Sequence, residues 1–139
     1  MITFENVTKT YGEKRAVDNL SMSIEGGKIF SFLGPNGAGK TTSIKLMTGI
    51  VAPDSGSIKL DGVDIAKDPI AAKRLFGFVP DTFDMYERLT GREYLRFMGD
   101  VYAVAKEKRA PHIEKYLAQF HLEDAYDQQI RSYSHGMKQ

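Results

Sequence analysis

The chain has 139 residues, 42% of them hydrophobic and 27% charged, with 19 basic side chains against 18 acidic ones and no cysteine. Length and composition fit one globular domain and exclude wholesale disorder and fibrous repeats; a net charge of +1 lacks the basic excess of a chain that neutralises many phosphates, so no nucleic-acid partner is expected. Disulfides and thiolate metal sites are excluded, the histidines stand apart at 112, 121 and 135, and no apolar run approaches the roughly 18 residues of a membrane span.

Ile2, Phe4 and a half-buried Val7 alternate with polar residues up to a turn at Gly12, which predicts a strand with one wet face. Residues 20–24 repeat the alternation and end at Gly26-Gly27, so the two strands are expected to form an antiparallel edge layer. KIFSFL, residues 28–33, is apolar on both faces, the pattern of a strand covered above and below. It runs into GPNGAGKTT, after which Ile44, Met47 and Ile50 recur at near-helical spacing until the turn chemistry of PDSG at 53–56. A short strand at 57–60, a turn at Asp61-Gly62, a helix over about 69–75 and a buried strand at 77–80 follow. From Thr90 the period becomes helical: Tyr94, Phe97, Met98 and Val101 share a face, and Thr90 and Glu93 have the spacing of a capping box. A second amphipathic helix carries Ile113, Tyr116, Leu117 and Phe120, and both stripes are expected to pack in a core.

The stretch Gly34, Pro35, Asn36, Gly37, Ala38, Gly39, Lys40, Thr41, Thr42 satisfies G-x-x-x-x-G-K-[ST] between a predicted strand and a predicted helix. Concentrated negative charge requires a loop that turns successive backbone N–H groups inward, and glycine permits both the close approach and the unusual dihedrals. The helix start adds unpaired amides and a positive dipole end, Lys40 a mobile cation for β- and γ-phosphates, and Thr41 a hydroxyl for Mg²⁺. A guanine-reading N-K-x-D is missing after Asn6, Asn19 and Asn36, which favours ATP.

KTYG, AVDNLSMSIEGG, GPNGAGKTT, LTGREYL and SYSHGMKQ, in this order, resemble the nucleotide-binding subunit of ATP-binding cassette (ABC) transporters along the whole of residues 1–139. The resemblance implies a P-loop NTPase, RecA-like α/β core with an antiparallel β edge layer over residues 1–85, and an α-helical subdomain with the signature over 86–139. It implies that Tyr11 stacks on adenine with Val17 packed nearby, whereas alone Tyr11 reads first as an ordinary strand-end aromatic. It assigns Gly34, Asn36, Gly37, Ala38, Gly39, Lys40, Thr41 and Thr42 to the phosphates, with Thr41 on Mg²⁺. SHGMKQ resembles the family's LSGGQ signature loosely, with Tyr133 for the leucine and His135 for a glycine; Ser134, Gly136 and Gln139 are expected to serve the opposite subunit of a head-to-tail dimer. Asp81 stands where the family carries a glutamine that senses Mg²⁺ and γ-phosphate, and reads either as ligand and water-positioner or as an ordinary loop residue.

The resemblance further implies a motor at the cytoplasmic face of the cell membrane, held there by a partner permease and coupling ATP to import or export, in the manner of bacterial exporter-like systems. Its hydrolytic carboxylates end an apolar strand beyond the signature, and no such run followed by Asp-Glu occurs in residues 1–139. The chain is therefore expected to be a truncated cassette, incomplete at its C-terminus, in which 28–33 and 77–80 lack strand neighbours and ATP is bound weakly and not turned over. Two further readings stay open at this point: a soluble cassette ATPase of translation or DNA repair, and a non-catalytic nucleotide-dependent interaction module.

Overall fold

The first eleven residues form a strand because apolar side chains recur on one face, and the computed structural model, which describes residues 1–80 and 84–139, extends it from Ile2 to Tyr11 (β1). A tight turn at Gly12 and Glu13 returns the chain as β2, Lys14–Ile24, antiparallel to β1 with Tyr11 opposite Lys14. With β3 (Ser55–Leu60) and the two-residue β4 (Val63–Asp64) they make a four-stranded antiparallel sheet in the order β2-β1-β3-β4. This is the expected edge layer, with β2 beginning six residues earlier than the alternation at 20–24 suggested.

Simple alternation would turn Val7 away from Phe4, yet both are fully buried. The register explains this: Phe4 faces Met22 while Val7 faces Leu20, so β1 spends one extra residue at a bulge. Asn6 takes the left-handed turn there at φ 51°, a conformation its short polar side chain tolerates, and its amide and side-chain carbonyl both bond the Ser21 hydroxyl, at 2.9 and 3.1 Å. Val7, expected half-buried, is thus brought into the core with Phe4, Val17, Leu46, Ile58, Leu60, Ile65 and Ala72.

Leu46 enters that core from α1, Lys40–Met47, and Ala72 from α2, Pro69–Lys73, whose first turn is closed by the Asp68 carboxylate accepting from the Ala71 amide at 3.0 Å. The helix expected at 41–50 stops three residues short, at Met47, and the one expected at 69–75 stops two short, at Lys73. The strands expected at 28–33 and 77–80 are not formed. Ile29 and Leu33 are 100% and 91% exposed, and Phe30, Phe78 and Val79 are exposed as well. A doubly covered strand needs a ladder partner for its backbone groups, and among the described residues neither segment has one.

The chain divides after Phe78, and Val79–Gln139 forms its own helical unit. It contains α3 (Gly91–Val101), α4 (Lys106–Phe120), short 3₁₀ turns at Glu123–Ala125 and Ile130–Ser132, and the four-residue α5 (His135–Lys138). The Thr90–Glu93 capping box is present in full: the Thr90 hydroxyl accepts from the Glu93 amide and the Glu93 carboxylate accepts from the Thr90 amide at 2.8 Å. Its buried apolar centre is Ile130 with Ala125. The helical stripes do not pack as expected, since α4 buries no residue and Phe97, Val101, Tyr116 and Phe120 are exposed. Part of that surface is covered by rings on each other: Tyr86 meets Phe97 edge-on at 5.4 Å, and Tyr116 stacks on Phe120 at 6.4 Å.

Candidate functional site

The segment between residue 33 and α1 has no regular structure, and its glycines explain its path. Gly37 and Gly39 both stand at φ 87°, in the left-handed region that side chains other than glycine rarely enter. At Gly39 a Cβ would also collide with the carbonyl oxygen of Ala16 on β2, so only glycine lets the loop rest against that strand. Val17, expected beside the nucleotide, is buried immediately behind Gly39.

Gly39 is the N-cap of α1 and offers no side-chain acceptor, and the first turn holds no acidic residue. The first intrahelical bond runs from the Ser43 amide to the Gly39 carbonyl at 2.8 Å, which leaves the earlier amides without a helical partner. The remaining four α-helices differ: Asp68, Thr90 and Ser134 cap α2, α3 and α5, and α4 has Glu107 in its first turn. Among the described residues, α1 alone of the five helices has neither a side-chain cap nor an acidic residue in its first turn.

Lys40 supplies the cation. Its Nζ folds back and donates to the carbonyls of Gly34 and Pro35 at 2.6 and 2.7 Å, while the Ala38 amide donates to the Pro35 carbonyl at 3.2 Å. The loop thus spends its carbonyls on the ammonium and on its own turn. A cavity of about 260 Å³ opens in front of it, lined by Tyr11, Asn36, Gly37, Lys40, Thr41 and Thr42 together with Lys14 and Ala16. No carboxylate lines it among the described residues. Polyphosphate fits such a donor set, and Thr41, exposed in the first helical turn, fits a hydroxyl ligand of a phosphate-bound Mg²⁺.

Tyr11 is 47% exposed at the cavity mouth, and the end of β1 that carries it is tied down by Asp54, which accepts from the Thr10 amide at 2.7 Å and from Lys9 Nζ at 2.8 Å. Lys9 Nζ also lies 5.6 Å from the Tyr11 ring. The structure therefore brings together Tyr11, Asn36, Gly37, Gly39, Lys40, Thr41 and Thr42 of the expected site, with Val17 behind the loop. Sequence reasoning missed Lys14 and Ala16. The two-residue turn at Gly12 was the available signal, because it places Lys14 directly across the ladder from Tyr11.

In the helical unit, Ser134 caps α5 by accepting from the Met137 amide at 3.3 Å, which leaves its hydroxyl hydrogen available to donate. Gly136 is exposed, with nothing near the place of a Cβ, and Gln139 is exposed at the end of α5. Tyr133 anchors the segment by donating to the Ala125 carbonyl at 2.6 Å, and burial followed by the nearby Asp127 charge pushes its phenol pKa up. Asp81 lies outside the described residues. No described helix is long and apolar enough to cross a membrane.

The family model described as ABC transporter matches residues 17–139. The linearmycin resistance ATP-binding protein LnrL of Bacillus subtilis (strain 168) is 38% identical over 141 residues, which cover 99% of this chain and 44% of that protein. Among solved structures, an ATP binding subunit of an ABC transporter superposes with a TM-score of 0.88 at 28% identity, over 99% of this chain and 57% of that one. The ATP-binding cassette MJ0796, in a dimeric post-hydrolysis state with ADP and Pi, gives a TM-score of 0.82 at 26% identity, over 99% and 65%. The chain thus spans about half the length of the proteins it matches.

Proposed function

Starting from the chain's membership of the ABC transporter family, to which it belongs by the match over residues 17–139, we propose that it is the ATP-binding portion of a transport motor. The carrying observation is the uncapped, acid-free start of α1 facing a cavity that holds Lys40 and Thr41. The amides of the α1 start together with those of Gly34, Asn36, Gly37 and Gly39 donate to the phosphate oxygens of ATP, while Ala38, whose amide donates to the Pro35 carbonyl, shapes the turn between them. Lys40 leaves the Gly34 and Pro35 carbonyls for the terminal phosphates, and Thr41 and Thr42 offer hydroxyls. Bound Mg²⁺ supplies neutralisation of phosphate charge, and Thr41 is the residue that would hold it. Tyr11 stacks on adenine at the mouth, with Val17 supporting the loop from behind.

Turnover needs a positioned water and a metal-holding carboxylate, and none of the described cavity residues is acidic. The described residues of the cavity account for nucleotide binding, and Asp81 keeps both of its readings, metal-directed carboxylate or plain loop residue. In the whole protein, Ser134, Gly136 and Gln139 face the nucleotide of a second copy in a head-to-tail dimer. The dimeric state of MJ0796 supports this reading. A separate permease holds the assembly at the cytoplasmic membrane face and fixes both cargo and direction.

Titration with Mg-ATP, followed through the amide resonances of residues 34–42, tests the assignment. Those resonances shift in the parent, and Lys40→Ala weakens binding at least about 100-fold, the scale of losing a charge-assisted clamp on a multivalent anion. Resonances that stay put at saturating Mg-ATP would overturn it.

A further inference from the structure

We propose that Lys14 is a second phosphate-directed cation of the nucleotide cavity, delivered by the β1–β2 hairpin opposite the loop that carries Lys40; this rests on the nucleotide reading above. Lys14 begins β2 and is paired with Tyr11 across the two-residue turn, so one hairpin end presents an aromatic ring and an ammonium side by side. Both line the cavity. A Cβ placed on Gly37 would stand 3.7 Å from Lys14 Nζ, so the ammonium reaches over the loop at the glycine whose φ of 87° lets the backbone approach a ligand closely.

The neighbouring cations of the hairpin are already engaged. Lys9 pairs with Asp54 at 2.8 Å and Arg15 with Asp18 at 3.0 Å, whereas Lys14 has no carboxylate partner among the described residues. An unpaired ammonium held over a backbone nest that collects anions is placed where like-charged Lys40 gains nothing from it, unless a polyanion comes between them. A triphosphate can take both charges at once. The pair Tyr11 and Lys14 would then grip the nucleotide from the sheet side, as ring and cation, while α1 grips it from the helix side.

Calorimetric titration of the chain with Mg-ATP and, separately, with inorganic tripolyphosphate tests this, because tripolyphosphate has no base for Tyr11. Lys14→Gln is expected to weaken both ligands about three- to tenfold and to flatten the salt dependence of binding, while Lys14→Arg stays within about twofold of the parent. Far-UV circular dichroism and the thermal midpoint establish that the exposed substitution leaves the hairpin folded. Lys14→Gln binding tripolyphosphate like the parent, while Lys40→Ala loses it, would overturn the role of Lys14 and leave the loop assignment standing. A parent chain that binds neither ligand, or variants that both bind as the parent does, would remove the nucleotide reading and this proposal together.

Discussion

The start of α1 at Gly39 and the start of α3 at Thr90 solve the same problem in opposite ways. Every helix begins with amides that have no intrahelical acceptor. At Thr90 the chain satisfies them from its own side chains, through a hydroxyl and a carboxylate that lock reciprocally, with Glu93 adding negative charge where the dipole welcomes it. At Gly39 there is no side chain, no acid stands in the first turn, and the charges that line the cavity, Lys40 and Lys14, are positive. A helix start that is satisfied internally serves the fold. One that is left open beside a cation is held ready for an anion from outside.

The contrast can be broken most forcefully at its glycines. Gly39→Ala places a Cβ against the Ala16 carbonyl at a φ of 87°, and the neighbour is backbone that cannot swing away. It should cost about 3 kcal/mol of stability and abolish Mg-ATP binding, as read by thermal melting and titration. Gly91→Ala, in the first turn of α3, meets the Tyr133 hydroxyl instead. It should cost about 1–3 kcal/mol and leave the P-loop cavity unaffected; combined with Tyr133→Phe, which takes away the colliding oxygen together with its bond to the Ala125 carbonyl, the two losses should be less than additive. Equal damage to nucleotide binding from both substitutions would show that the two helix starts do not have separate duties.

How much of this was legible beforehand follows the same division between local and long-range chemistry. The P-loop, the capping box and the turns at Gly12 and Asp61-Gly62 depend on residues within a few positions of each other, and the structure forms each of them. The core position of Val7 was illegible because it depends on a bulge at Asn6, and a single inserted residue reverses the face on which every later side chain falls. The strands expected at 28–33 and 77–80 failed for a related reason: KIFSFL and GFVP show what would cover a strand, and nothing in either stretch supplies the ladder it must join. Helical periodicity likewise identified α4 but not what lies against it, and its stripe from Ile113 to Phe120 is only partly covered. Lys14 was missed because a lysine in a hairpin reads as solvated until the hairpin's aim is known.

A smaller effect sharpens the comparison from the helical side. Thr90→Ala removes one half of the capping box and leaves the Glu93 amide without its side-chain acceptor, so the helical unit should lose about 1 kcal/mol. Thr90→Ser should restore most of it, since the hydroxyl does the work, and neither change should alter Mg-ATP affinity. Thermal melts followed by far-UV circular dichroism, with titrations in parallel, check all three outcomes.

The smallest expected effect concerns acid, and it asks whether the ligand-facing sheet is as self-sufficient as the capped helices. Asp54 sits below the usual carboxylate range because Lys9 and then the Thr10 amide donate to it, and Glu5 because the Ser57 hydroxyl and Lys59 do. In the helical unit Glu93 is lowered by the Thr90 amide and hydroxyl, Asp100 by Arg109 and Asp127 by Arg92. A carboxylate held low in the folded state binds its proton more readily when unfolded. Its contribution is therefore complete above the ordinary value near 4 and fades as pH falls through the lowered one. All five groups are exposed, so the loss should be gradual and should shrink in salt. Asp54→Asn separates the two regions: it should flatten the acid limb of the melting curve slightly and loosen the hairpin end that carries Tyr11 and Lys14, weakening Mg-ATP, which uses both, more than tripolyphosphate, which uses only Lys14 of the pair. Asp127→Asn should flatten the same limb and move neither ligand, because the bond it breaks to Arg92 holds helix to turn and nothing at the cavity.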